Sequence, residues 1–137
     1  MTDPTCKDRI NQELKDRISD LKKLWSLYQI GDENGDPELG QFNEYGLCFD
    51  YIAPGTFNNQ RNGYFRYQLS YGGPSDEFRF FVDNAGKLYK IEYWFLDWYD
   101  GSCKKLTGSN YELMEEIYNF FDEIGSTEAE FNKAMED

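Results

Sequence analysis

The sequence predicts an α+β domain: a long N-terminal helix, an antiparallel meander of about four strands and two C-terminal helices. Three observations carry that expectation. Apolar residues recur every three or four positions at both ends of the chain, and they alternate with period two through its middle. The middle runs are separated by short segments rich in Gly, Asn and Pro, which turn a chain back on itself. The 137 residues suit one domain with one core. A net charge of −12 is high enough for a disordered segment, but 11 Tyr, 11 Phe and 3 Trp supply the apolar area that a disordered chain lacks.

Residues 6–28 read as the first helix. Ile10, Leu14, Ile18, Leu21, Trp25 and Tyr28 step by four, four, three, four and three onto one stripe, widened by Leu24 and Leu27. Thr5 with Asp8 forms a capping pattern at its start. About three heptads favour packing on a core over a coiled-coil seam. Residues 31–46 break both periodicities, with Gly and Pro marking a turn-rich loop.

Four alternating runs follow: Leu47 to Ala53, Tyr64 to Tyr71, Glu77 to Asp83 and Leu88 to Trp98. Phe65, Tyr67, Leu69, Phe78, Phe80, Val82, Tyr89, Ile91 and Tyr93 are expected on the helix-covered face. Residues 83–87 and 71–76 read as tight turns, and 54–63 as a longer polar connection. Ser109 to Glu112 reads as a capping box before a helix whose apolar face is Leu113, Met114, Ile117, Phe120, Phe121 and Ile124. Gly125 is its stop. A second box, Thr127 to Glu130, leads into a short helix carrying Ala129, Phe131, Ala134 and Met135.

The charge is unevenly placed. Residues 29–58 carry six acids and no base, and residues 109–137 carry nine acids and one base. The two other segments are each +1. A surface of this kind repels nucleic acid and anionic lipid and attracts basic surfaces. The expected partner is therefore a basic, nucleic-acid-binding protein, with no direct contact to nucleic acid or membrane. No window approaches the roughly 18 apolar residues of a membrane span. The opening residues lack the pattern of a signal peptide, so a cytoplasmic setting is expected. Cys6, Cys48 and Cys103 lie far apart and fit free thiols. The absence of histidine removes the commonest general base and metal ligand, and with it the Ser-His-Asp and Cys-His arrangements. No cofactor is expected.

Three groups of residues stand out as candidates for partner binding. Glu112, Glu115, Glu116, Asp122 and Glu123 fall on one side of the predicted third helix. They are unrelieved by any lysine between positions 106 and 132, and turns there rise about 5.4 Å, near the spacing of phosphates along one strand. Asp32, Glu33, Asp36 and Glu38 crowd the loop. This stretch begins like a calcium loop, but Pro37 stands where a glycine is required and Asn43 where a glutamate is. Asp97, Trp98 and Asp100, beside Trp94 and Tyr99, combine aromatics with carboxylates at a strand end, a mixture suited to arginine and lysine. An ordinary solvated acidic face and a strand end folded into the core are the plain alternatives.

The stretches Gly-Gly-Pro-Ser-Asp-Glu-Phe-Arg-Phe-Phe-Val-Asp at 72–83 and Ile-Glu-Tyr-Trp-Phe-Leu-Asp-Trp-Tyr-Asp-Gly at 91–101 resemble those of small acidic, uncharacterised proteins of phages and conjugative elements. The resemblance covers about the middle third of the chain. It implies an anti-defence context, in which anti-CRISPR and antirestriction proteins occur and some imitate DNA. It transfers no functional residue. Together these readings lead to a non-catalytic acidic inhibitor that binds the basic nucleic-acid site of a host defence or DNA-processing protein. An immunity-type or other protein-binding module is the alternative. A small carboxylate enzyme, with Asp97 and Asp100 as its pair, is the third reading.

Overall fold

The computed structural model describes residues 5–97 and 99–136 and is α+β. A helix α1 (Cys6–Gln29) comes first, then a single helical turn α2 (Phe42–Tyr45). Five strands follow: β1 (Cys48–Ile52), β2 (Tyr64–Ser70), β3 (Ser75–Val82), β4 (Leu88–Asp97) and β5 (Asp100–Lys105). Helices α3 (Gly108–Glu123) and α4 (Ser126–Ala134) close the chain. The strands form one antiparallel sheet in the order β1-β2-β3-β4-β5.

The strand count corrects the expected four to five. The fifth, Asp-Gly-Ser-Cys-Lys-Lys, has no apolar alternation and lies almost wholly exposed at the sheet edge. Its pairing with β4, Glu92 opposite Lys105 through Asp97 opposite Asp100, makes it a strand through the backbone alone. The 31–46 segment is also more ordered than a plain loop. Asp36 and Gly40 bridge through paired N–H and C=O groups, and the one-turn α2 buries Phe42.

All helices cover one sheet face. Tyr118 of α3 stacks near Phe65 and Phe80, and Phe121 near Phe49 and Tyr67. Along α1, Ile10, Leu21 and Leu24 reach the same core. Of the nine strand residues expected there, Phe65, Tyr67, Leu69, Phe78, Phe80, Ile91 and Tyr93 are buried. Val82 is only half-buried, and Tyr89 is exposed against Phe81 of the opposite face. The cause is a bulge. Phe81 pairs with Lys90 and Val82 with Leu88, so Tyr89 is the extra residue and Leu88 takes its place beside the core.

The helix ends follow the predicted caps in part. Thr5 and Asp8 form the expected capping box, and Gly125 ends α3 at φ +86°. The box at Ser109 does not form, because the helix begins at Gly108 and Thr107 makes no side-chain cap. Nor does the box at Thr127: α4 starts after Gly125, and the buried Thr127 hydroxyl donates to Asp122 instead. Phe131 and Met135, expected as an apolar face, are substantially exposed.

Among the described residues no helix lies on the other sheet face. One cross-strand row reads Asp50, Arg66, Arg79, Glu92, Lys105 and another Ile52, Tyr64, Phe81, Lys90. Arg66 pairs with Asp50 at 2.7 Å and Arg79 with Glu77 at 2.8 Å. None of the described helices is long and apolar enough to cross a membrane.

Candidate functional site

Four aromatic rings decide where the acidic segments end up. Trp25 and Tyr28 near the end of α1, Phe42 of α2 and Phe120 of α3 pack with centroids 5.1–5.9 Å apart. Such contacts bury large area with favourable edge and offset geometry. Phe42 against Phe120, at 5.9 Å, draws the 31–45 segment onto the C-terminal half of α3. The two segments that hold the excess negative charge therefore share the helix side of the molecule.

The five carboxylates expected in a row on α3 separate into two groups. Glu112, Glu116 and Glu123 are exposed, and at about 100° per residue they lie within about 40° of one another. Asn119 occupies the gap between the second and third. Glu115 and Asp122 stand about 60–80° to one side. Glu115 is half-buried, while Asp122 is exposed and also accepts the Thr127 hydroxyl that joins α3 to α4.

The loop carboxylates divide in the same way. Asp36 is buried, accepts the N–H groups of Glu38 and Leu39 at 2.9 Å, and meets Lys23 Nζ at 2.6 Å. The Lys23 contact and those two N–H groups hold its carboxyl down to about 2. It is a fastener, not a contact surface. Asp32 folds one oxygen onto the N–H of Asn34 but stays exposed, as do Glu33 and Glu38. Glu44 adds a further exposed carboxylate.

The strand-end group is dispersed. Asp97 pairs with Arg9 at 2.9 Å, and Asp100 accepts the Cys6 N–H at 2.7 Å, so both anchor the start of α1. Trp94 lies on the open sheet face, its indole N–H donating to Glu92. Tyr99 is fully exposed. Trp98 lies outside the described residues.

Two hollows adjoin the acidic side. One, of about 660 Å³, has Leu24, Leu27, Tyr28 and Phe42 with Asp32 and Glu33. The other, of about 640 Å³, has Tyr51, Phe131 and Met135 beside Asp83, Asp122 and Glu128. Each combines exposed apolar surface with carboxylates.

The sequence reading missed a buried cluster. Asp76, assigned to a turn, lies in β3 at 2% exposure. Arg17 donates to both its oxygens, at 2.7 and 3.0 Å, and Tyr93 donates at 2.6 Å. The Ser70 hydroxyl donates as well. Arg17 also donates to Tyr45, whose hydroxyl donates to Asp20. Asp76 shares parity with Phe78 and Phe80, and that was the available signal. Every acceptor is satisfied, so the cluster fastens α1 to the sheet. Burial, with Asp100 adding to it at Cys6, raises all three thiols above their ordinary range, so none is a ready thiolate. Among the described residues no group of three or more Cys, Asp or Glu is placed to hold a metal ion.

Comparison with protein-family models, curated proteins and solved structures finds no match to this chain.

Proposed function

We propose that this chain is a non-catalytic binding protein whose acidic helix side occupies the basic, nucleic-acid-binding surface of another protein. One observation carries the reading. The Phe42–Phe120 contact joins the segment carrying Asp32, Glu33 and Glu38 to the helix carrying Glu112, Glu116 and Glu123, and among the described residues none of these six forms an ion pair. Six other carboxylates, Asp36, Asp50, Asp76, Glu77, Glu92 and Asp97, are held in ion pairs. Unpaired exposed carboxylates steer a basic partner and fix its orientation. The resemblance to small proteins of phages and conjugative elements points to an anti-defence setting, an anti-CRISPR or antirestriction type of inhibitor.

The test begins with a partner recovered by pulldown from the host. The variant Glu112→Gln, Glu116→Gln, Glu123→Gln keeps size and removes charge. Its association with that partner is expected to fall at least tenfold, and duplex DNA is expected to compete with the wild type. Unchanged affinity without competition removes the mimic reading.

The hollow beside Tyr51, Phe131 and Met135 favours a second reading, an immunity-type or other protein-binding module. Half-exposed apolar side chains of this kind receive side chains from a partner, which phosphate imitation does not need. In that case Phe131→Ser lowers affinity more than the triple glutamine variant does.

A further inference from the structure

The open sheet face holds a third hollow, of about 470 Å³, between the sheet and the loop 57–62. Its volume falls in the range of small-molecule sites. On a chain of net charge −12 its lining holds two arginines, Arg61 and Arg79, and no carboxylate. The Arg79 guanidinium lies 3.9 Å from the Trp94 ring centroid and 4.7 Å from that of Tyr64. Glu77 accepts its Nε–H, so the plane is fixed from three sides. The two Nη groups are left as an end-on fork, the geometry that receives a carboxylate or phosphate bidentately. Glu77 balances the charge of Arg79, and the net positive charge of the hollow is that of Arg61, which is exposed and forms no ion pair among the described residues.

The loop is built to hold its shape. Gln60 donates to the Asn62 carbonyl and accepts the Phe57 N–H, and Asn59 takes a left-handed conformation at φ +61°. The side-chain amides of Asn58, Asn59 and Asn62 have no hydrogen-bond partner among the described residues. Phe57 is half-exposed at the rim. Under the loop, Tyr64 lines the hollow at 1% exposure, and among the described residues its buried hydroxyl has no hydrogen-bond partner. At that exposure the hydroxyl is closed off from the hollow, and Tyr64 contributes its ring, which supports the Arg79 guanidinium.

We propose that this hollow binds a small organic oxyanion, a phosphate or carboxylate carried on a ring that bears hydrogen-bonding groups. The fork of Arg79 and the Arg61 charge take the oxyanion. The Asn58, Asn59 and Asn62 amides take donor and acceptor groups on the ring, and Phe57 supplies an apolar face against it. The site is separate from the acidic helix side and does not depend on the partner reading.

The probes are adenosine monophosphate, uridine monophosphate, glucuronate and inorganic phosphate, titrated into the isotope-labelled protein while the Trp94 indole and the 57–62 amides are followed. At least one ring-bearing oxyanion is expected to move those signals and to bind tenfold more tightly than inorganic phosphate. Nucleotide and sugar acid distinguish the two sources of the charge. Arg61→Gln is expected to weaken that binding about five- to tenfold, the loss of about one hydrogen bond, and Tyr64→Phe to leave it unchanged. The remaining amide spectrum is expected to stay that of the folded protein. Because Tyr64→Phe removes an unpaired buried hydroxyl, it is expected to leave the thermal midpoint unchanged or raised. No shift with any ring-bearing probe at millimolar concentration overturns the proposal. So does inorganic phosphate binding as well as the best of them, or Arg61→Gln binding like the wild type.

Discussion

Asp76 shows how a single carboxylate organises this molecule. At 2% exposure a charge is tolerated only with partners, and it has Arg17 on both oxygens with Tyr93 and Ser70 completing its shell. Replacing it by Asn keeps the shape and leaves the Arg17 guanidinium without a counter-charge. Breaking one side of a buried pair costs about 3–5 kcal/mol, and because Arg17 retains 23% exposure the low end, about 3 kcal/mol, is expected for Asp76→Asn in urea unfolding. A loss below about 1 kcal/mol would show that the cluster does not fasten α1. Asp36 predicts a pH effect. Its carboxyl is lowered from 3.8 to about 2 in the folded chain by Lys23 and the Leu39 and Glu38 N–H groups. A lowered folded value means stability fully present above about 3.8 and lost as the pH falls from there through about 2. The Glu38 and Leu39 amide resonances are expected to move toward unbonded positions across that interval, and Asp36→Asn is expected to abolish the transition. Amides that titrate identically in the variant would assign the effect to other groups.

The elements differ in how far their residues declare them. Helix α1 and strands β2 to β4 bury alternate or periodic apolar side chains, so their burial is written in the sequence spacing. Strand β5 buries almost none, and its two lysines suit an exposed edge that must not pair with another chain. It exists through bonds to β4 that no side-chain pattern records. The bulge that exchanges Leu88 for Tyr89 is a matter of register between two strands and is equally silent. The capping boxes at Ser109 and Thr127 were local motifs overruled by packing, Thr127 by its bond to Asp122. The same limit applies to the candidate site. That 29–58 and 109–137 were acidic was evident, but which carboxylates are free depends on partners far along the chain, as with Arg9 and Asp97, 88 residues apart. Gly125 was legible because the left-handed helix stop has a strong residue preference, and it tests the reading directly. At φ +86° a Cβ is strained, and Gly125→Ala is expected to destabilise by about 1–2 kcal/mol in thermal or urea unfolding. No loss would mean that the α3–α4 corner relaxes freely.

The exposed charges of the molecule are unevenly spread. The open sheet face carries Arg66, Arg79, Lys90 and Lys105 against Asp50, Glu77 and Glu92, while the helix side presents Asp32, Glu33, Glu38, Glu44, Glu112, Glu116 and Glu123 together with Lys7, Lys15, Lys22 and Lys23 of α1. A net charge of −12 would by itself attract any basic protein, but only a located surface holds one in a fixed orientation. The two cases separate by comparing variants of equal charge. Glu112→Gln, Glu116→Gln, Glu123→Gln removes three charges from the proposed surface. Asp16→Asn, Glu130→Gln, Glu136→Gln removes three from α1 and the α4 end, outside the 31–45 and 112–123 patch. Among the described residues neither set touches an ion pair, and the first relieves the Glu112–Glu116 repulsion, so its stability is expected to hold or rise by a few tenths of a kcal/mol. Both sets weaken long-range steering, so both are expected to lower the association rate at low salt by similar factors. Only the first removes short-range contacts, so only the first is expected to raise the dissociation rate, by tenfold or more, and to keep that defect at 0.5 M salt on the order of the screened regime. Hydrogen exchange in the complex is expected to slow in 31–45 and 112–123 and to stay unchanged in β2 to β4. Equal dissociation rates for the two variants would mean that the partner senses the chain's overall charge and that the convergence of the two acidic segments carries no recognition.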